Sequence, residues 1–189
     1  MRHVAGVIEP LLEESSFADV SVAQILEAAN ISRSAFYSYF SSKHDLMAAV
    51  AEIVMAEILE AGDGWWGLPP DATKEDMRDA LRHVVEVWRE HRLLLRSVTE
   101  SVYQDAAVRD LYNGLVQHAM DGATAFIERA QAAGLAYPDI DARHVSEQMM
   151  YLAERSLYQI IGIENDRDYA RFPDAMVDIF WRTVCEGYR

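Results

Sequence analysis

"ISRSAFYSYFSSK", residues 31–43, places one arginine, one lysine, two tyrosines and five serines in a run without a single acidic side chain, inside a chain whose formal charge is −14. Working outward from it, Ser21 stands before Val22, Ile25, Leu26 and Ala29, the spacing of a short amphipathic helix behind an N-cap. Asn30 ends that helix, because asparagine tolerates the left-handed conformation. Ser32 caps a second short helix to about Phe40, and Ser42 caps a third that carries Leu46, Met47, Val50, Ile53, Val54, Ile58 and Leu59 on one broad face. Two short helices joined by a tight turn, followed at once by a longer one, make the helix-turn-helix pattern, whose second helix enters the major groove of DNA. Ile31 then plugs the angle between the helices, Phe36 and Phe40 face inward, and the groove side carries Arg33, Ser34, Tyr37 and Ser38. Arg33 has the reach for guanine O6 and N7 or for a phosphate. The plainer alternative is a helical hairpin whose serines only cap and whose tyrosines only pack.

Composition narrows the setting. The chain has 189 residues, about half of them apolar and a quarter charged, with few glycines and prolines, enough for an ordered domain or a small module joined to a larger one. No apolar run approaches the roughly 20 residues of a membrane span, and the opening "MRHVAGVIEPLLEESS" lacks the apolar core of a secretory leader, so a soluble, cytoplasmic protein is expected. The acidic balance opposes diffuse binding to nucleic acid, since like charges repel over about a Debye length, ~10 Å in 0.1 M salt. Any DNA contact is therefore local. The single cysteine, Cys185, reads as buried filler in the last helix. His83, His91, His118 and His144 lie on separate helices without metal-ligand spacing, and no nucleophile motif, glycine-rich phosphate loop or catalytic carboxylate pair is found. Neither an enzyme nor a metal or cofactor site is expected.

Helical periodicity runs from end to end, giving an all-α fold. The segment "AGDGWWGLPPDA", residues 61–72, is the clearest break. The expected division is a DNA-binding domain over 1–45 and a larger helical domain over 46–189, joined by a linking helix over 43–60. Thr73 and Asp76 form a capping box before a helix with Met77, Leu81, Val84, Val85 and Trp88 on one side. "HRLLLRSVTESVY" continues as a helix, and Asp105 caps the next, which runs from about Val108 to the terminal Gly134. "LAYPDID" is a linker. The helix from about Ala142 to Ile163 is apolar on more than one stripe. In the last, from Asp174 to about Glu186, Met176, Ile179 and Phe180 lie toward one side and Val177, Trp181 and Val184 toward another. A second apolar face needs a second surface, most simply the same helices of another subunit, which implies a homodimer. Glu154 and Arg155 are either a fold-fixing ion pair or part of that interface. Gly6 and Pro10 lie inside the first helix, which is expected to kink or begin late.

Residues 21–46, "SVAQILEAANISRSAFYSYFSSKHDL", resemble the DNA-binding signature of the TetR family of bacterial transcriptional regulators, a likeness that extends from about Phe17 to Val50. "FYSYF", "LAERSLY" in the penultimate helix and the final "WRTVCEGYR" are most similar to the mycobacterial ethionamide-resistance repressor group. The resemblance implies that Tyr37 and Lys43 hold phosphate, that Tyr39 often does, and that Ser32, Arg33 and Ser38 touch bases or backbone. The free N–H groups after Ser42 favour a phosphate beside Lys43. Ala35 stands where the family often has threonine, and the basic arm that family members usually carry before the first helix is not expected here. The resemblance also implies a ligand pocket among the middle helices, for which Trp88, Tyr103, Tyr112, Val116, Phe126, Met149, Met150, Ala153 and Leu157 are candidates. Few of these are polar, so the expected effector is elongated or aromatic and apolar, with Tyr103, Tyr112 or Tyr151 supplying a hydrogen bond. The implied protein is a repressor released from a palindromic DNA operator by a small hydrophobic ligand. The competing class is a dimeric carrier or sensor on the same scaffold that has lost specific DNA binding.

Overall fold

The computed structural model describes residues 2–103, 105–159, 169–185 and 187, and among them it contains nine helices and no strand. These are α1 (Arg2–Glu14), α2 (Val22–Ala29), α3 (Arg33–Tyr39), α4 (Lys43–Trp66), α5 (Lys74–Glu90), α6 (Arg92–Ser101), α7 (Ala106–Ala132), α8 (Ala142–Leu157) and α9 (Arg171–Val184). The chain divides into two compact units, one formed by Met1–Ala56 with His91–Asn113, the other by Glu57–Glu90 with Gly114–Arg189. α4 and α7 each contribute one end to either unit.

In the first unit, α1 packs against α2 and α6. Ile8 and Leu12 of α1 are buried together with Phe17, Val20, Ile25 and Phe36, while Leu46, Met47 and Val50 supply the α4 face of this core. The expected caps are present. Ser21 Oγ accepts from Gln24 N and Gln24 Oε1 accepts from Ser21 N at 2.8 Å, a complete capping box. Asn30 ends α2 in the left-handed conformation at φ 50°. Asp105 Oδ1 accepts from Ala107 N and Val108 N at the start of α7.

Two expectations here are corrected. α1 does not begin late: it is helical from Arg2 through Pro10 to Glu14. Pro10 sits on the exposed side, so the carbonyl left without its helical donor can be served by water. Ile31 does not plug the interhelical angle, being 37% exposed. The turn is closed by backbone instead, with Ile31 N donating to Leu26 O at 3.1 Å.

In the second unit α5 lies on α9. Met77, Leu81, Val84, Val85 and Trp88, the five residues of the expected stripe, are all buried. Around this contact Lys74 Nζ is 2.7 Å and Arg78 Nη2 3.0 Å from Asp178 Oδ1, and Arg82 Nη2 is 3.4 Å from Asp174 Oδ1. α9 begins at Arg171, three residues ahead of the expected start. It turns Met176, Val177, Phe180 and Val184 inward together, leaving Ile179 exposed and Trp181 half-buried. Met176 and Phe180, expected toward one side, thus share one buried face with Val177 and Val184, expected toward another, because α9 is covered there by α5 and by aromatic rings from α4 and α7. α8 is described as far as Leu157, and residues 160–163 of the expected helix lie outside the described residues.

The break after residue 60 is also displaced. α4 continues through Gly62 and Gly64 to Trp66. Two interior glycines cost about 1 kcal/mol each, but burying Trp65 recovers about 2–3 kcal/mol, so the helix extends to include it. Trp65 stacks on Trp66 with ring centroids 4.8 Å apart and meets Phe180 edge-on at 6.0 Å, and Phe180 contacts Phe126 at 5.9 Å. Gly122 of α7 makes room for the tryptophan: a Cβ there would lie 2.7 Å from Trp66 Cδ1. Arg129 Nη2 donates to Trp66 O at 2.5 Å, satisfying a terminal carbonyl of α4.

Candidate nucleic-acid interface

α3 owes its orientation to one residue. Phe36, 1% exposed, anchors the helix to the core of the first unit, with Phe40 half-buried beside it at a centroid distance of 5.4 Å. Once that side is fixed, helical spacing turns the polar residues outward. Ser32, Arg33, Ser34, Tyr37, Ser38 and Tyr39 are all exposed, Tyr37 at 44% and Tyr39 at 83%. Ser32 caps the helix, its Oγ accepting from Ala35 N at 3.1 Å and lying 3.0 Å from Ser34 Oγ. Ser38 Oγ donates to Ala35 O at 2.6 Å, which leaves its oxygen lone pairs outward. The Arg33 guanidinium lies 5.5 Å from the Tyr37 ring centroid. This cation–π contact holds a long cation against its own helix and reduces the rotamer freedom lost on binding.

The junction with α4 differs from expectation. Lys43 is half-buried, and its ammonium donates to the carbonyls of Ala18 at 2.6 Å, Val20 at 3.0 Å and Phe17 at 3.1 Å. Two N–H groups in the first turn of α4 are also engaged, Leu46 N by Ser42 O and Asp45 N by the Ser42 side chain. Ser42 Oγ accepts from Asp45 N at 3.2 Å, while Asp45 Oδ2 accepts from Ser41 N at 2.9 Å and from Ser41 Oγ. The Ser41 side-chain and backbone donors hold the Asp45 carboxyl below the usual carboxylate range, so a negative charge sits at this helix start. Sequence reasoning stopped two residues short of it.

The expected ligand residues fall in both units. Trp88, Phe126, Ala153 and Leu157 are buried, and Val116, Met149 and Met150 half-buried, in the second unit. Tyr112 is half-buried in the first unit and Tyr103 is 88% exposed there, while Tyr151 in the second is 56% exposed. A cleft of about 180 Å³ in the first unit is lined by Leu12, Glu13, Ser16, Arg96, Ser97 and Glu100 among others, none of them an expected pocket residue. The polar group that sequence reasoning missed is Trp65, whose Nε1 is buried without a hydrogen-bond partner. The paired tryptophans at 65 and 66 were its visible signal. Among the described residues no group of three or more His, Cys, Asp or Glu side chains is placed to hold a metal ion, and no helix is long and apolar enough to cross a membrane.

Two family models match the chain. Residues 9–50 match the bacterial regulatory proteins of the tetR family, and residues 77–186, more than half of the chain, match the C-terminal domain of transcriptional regulator EthR. The HTH-type transcriptional regulator EthR of Mycobacterium tuberculosis is 26% identical over 97% of this chain and 86% of its own length. Among solved structures, the TetR family regulator PfmR of Thermus thermophilus superposes with a TM-score of 0.78 at 14% identity, covering 95% of this chain and 97% of that one. FadR of Bacillus subtilis, in complex with stearoyl-CoA, superposes with a TM-score of 0.74 at 15% identity, covering 94% and 96%. With an exposed polar recognition helix on the N-terminal match and an all-helical remainder on the C-terminal one, the chain belongs to the TetR family of DNA-binding transcriptional regulators and carries an EthR-type C-terminal domain.

Proposed function

We propose that the protein is a homodimeric repressor that leaves a palindromic operator when a small apolar ligand binds. The observation that carries this reading is the division of α3, with Phe36 buried and Arg33, Tyr37, Ser38 and Tyr39 exposed around the rest of the helix. Arg33 and Ser38 read bases, while Ser32, Ser34, Tyr37 and Tyr39 position the helix on the backbone. Residues 1–45 supply the DNA-binding domain and 46–189 the ligand-binding and dimerising domain, with α4 the continuous element between them. Tyr151 and Leu152 on α8 and Ile179 on α9, exposed large apolar side chains of the last two helices, support pairing of two copies there. Trp88, Phe126, Met150, Ala153 and Leu157 are proposed as apolar ligand contacts. The unpartnered Trp65 N–H favours a ligand that also carries a hydrogen-bond acceptor. The fold holds a fatty acyl thioester in the Bacillus FadR complex, which is compatible with an elongated apolar effector here. Release requires only that the ligand bind more tightly to the dimer in which the recognition helices no longer match successive major grooves.

A mobility-shift assay on the DNA flanking its own gene tests the reading. A specific band at low salt is expected, and its absence with folded dimer would refute DNA recognition. One observation favours the carrier or sensor alternative: the first unit itself has ten acidic side chains against six lysines and arginines. A salt titration separates the two. A regulator loses affinity log-linearly with salt from a measurable low-salt value, whereas a carrier shows no specific binding at any salt.

A further inference from the structure

The carbonyl groups of Phe17, Ala18 and Val20 lie in the connection between α1 and α2 and converge on a single cation. That connection is a tight turn, with Asp19 N and Val20 N both donating to Ser16 O and Ser16 Oγ donating to Asp19 Oδ2 at 2.6 Å. Phe17 and Val20 point their side chains into the core, 4% and 1% exposed. Their carbonyls are left facing Lys43, whose Nζ also lies 5.4 Å from the Phe17 ring centroid. An ammonium has three N–H donors and no more. Contacts of 2.6, 3.0 and 3.1 Å to three different oxygens occupy all three.

We propose that Lys43 is a positioning residue for DNA recognition and not a phosphate contact: its ammonium clamps the α1–α2 turn to the start of α4 and thereby sets the angle at which α2 and α3 are presented. The placement of Lys43 gives this leverage. It is the first residue of α4, four positions after the end of α3, while the oxygens it holds immediately precede α2. One side chain therefore closes a ring around the whole helix-turn-helix. An ammonium suits three converging oxygens because its donors spread tetrahedrally; a guanidinium, whose donors lie in one plane, does not, although it serves a phosphate at least as well. The negative Asp45 carboxylate, bonded to Ser41 and Ser42, further disfavours a phosphate at this junction.

Lys43→Arg and Lys43→Met in the full-length chain test the clamp. Each variant is first shown by circular dichroism to be folded at the assay temperature. Binding is then measured by anisotropy, as a function of salt, to a duplex from the DNA flanking its own gene and to a random duplex. In both variants the ratio of affinities for the two duplexes falls about tenfold, as expected for loss of charge-assisted hydrogen bonds, and the salt slope stays that of the parent. A purely stabilising role would leave the ratio unchanged. If Lys43→Arg keeps the parent's affinity and ratio, or if Lys43→Met lowers the salt slope by about 0.9, the increment of one phosphate contact, the clamp is refuted. Hydrogen exchange on the DNA-free protein gives a reading independent of DNA recognition. Amides 17–24 should exchange at least about tenfold faster in both variants, since the turn loses the restraint that limits its local opening. Unchanged exchange refutes the clamp even if DNA binding is lost; faster exchange in a chain whose parent binds no DNA keeps the clamp and refutes the regulator.

Discussion

The recognition strip and the proposed ligand contacts are built on opposite rules. In α3 one buried side chain, Phe36, orients a short helix whose other faces are free, so the exposed residues follow from helical spacing alone. In the second unit Trp65, Trp66, Phe126 and Phe180 hold one another through a chain of ring contacts from three helices. There the position of each side chain depends on neighbours far away in sequence. The strip is therefore sensitive to the loss of a single anchor, and the aromatic cluster to a change in shape.

The largest expected effect breaks the strip side of this contrast. Phe36→Ala should destabilise the first unit by about 3–5 kcal/mol. Hydrogen exchange should show that loss in α2 and α3 while α5 and α9 stay protected; equal loss in both units would refute the independence of the strip's support. Removing a contact instead of the anchor, Arg33→Ala should cost about 1–3 kcal/mol in operator binding and relax base preference at one position, with thermal stability unchanged. Tyr37→Ala should weaken binding to all duplexes alike, seen as equal shifts in anisotropy titrations with specific and random DNA.

The cluster is tested by filling the gap beneath Trp66. Gly122→Ala brings a methyl carbon to 2.7 Å from Trp66 Cδ1. Overpacking of this kind costs about 1–3 kcal/mol, a fall of roughly 2–12 °C in thermal midpoint for a chain of this size, and Trp66 fluorescence should shift as the ring is displaced. Gly114→Ala, where an added Cβ meets nothing within 4 Å, is the control: inside α7 it should raise the midpoint slightly, by the roughly 1 kcal/mol that alanine gains over glycine in a helix, and leave the fluorescence unchanged.

The smallest effect is electrostatic. Hydrogen bonding from Lys74, then from Arg78, holds the Asp178 carboxyl below its ordinary range. A depressed acid contributes stability above its unfolded pKa, about 3.9, and loses it as pH falls through the folded value. Asp178→Asn should therefore lower the thermal midpoint slightly at pH 7, and the gap from the parent should close below about pH 4. A gap independent of pH would assign the loss to packing between α5 and α9.

How far each region could be read in advance follows from the same contrast. Ser21, Asn30, Ser32, Ser42, Thr73, Asp105 and Gly134 act as helix punctuation where expected, because caps are bonds between residues a few positions apart. The stripe of α5 was equally legible, since its apolar period has only one way to face a core. Errors arose where distant residues override a local signal. The glycines at 62 and 64 announce a break, but burial of Trp65 against Phe180 carries α4 past them. Pro10 announces a kink or a late start, yet its exposed position lets α1 begin at Arg2 and run on to Glu14. The three carbonyls that meet Lys43 had no local signal at all, since only the folded turn brings them to it.

By itself the sequence determined the all-helical class, the helix-turn-helix and the outward face of α3, because period, caps and one buried aromatic act over a single turn of helix. Tertiary structure alone decided what Lys43 holds, how far α4 extends and why α7 has a glycine at 122. Those outcomes depend on atoms brought within a few ångströms by folding, from positions 23 to more than 100 residues apart.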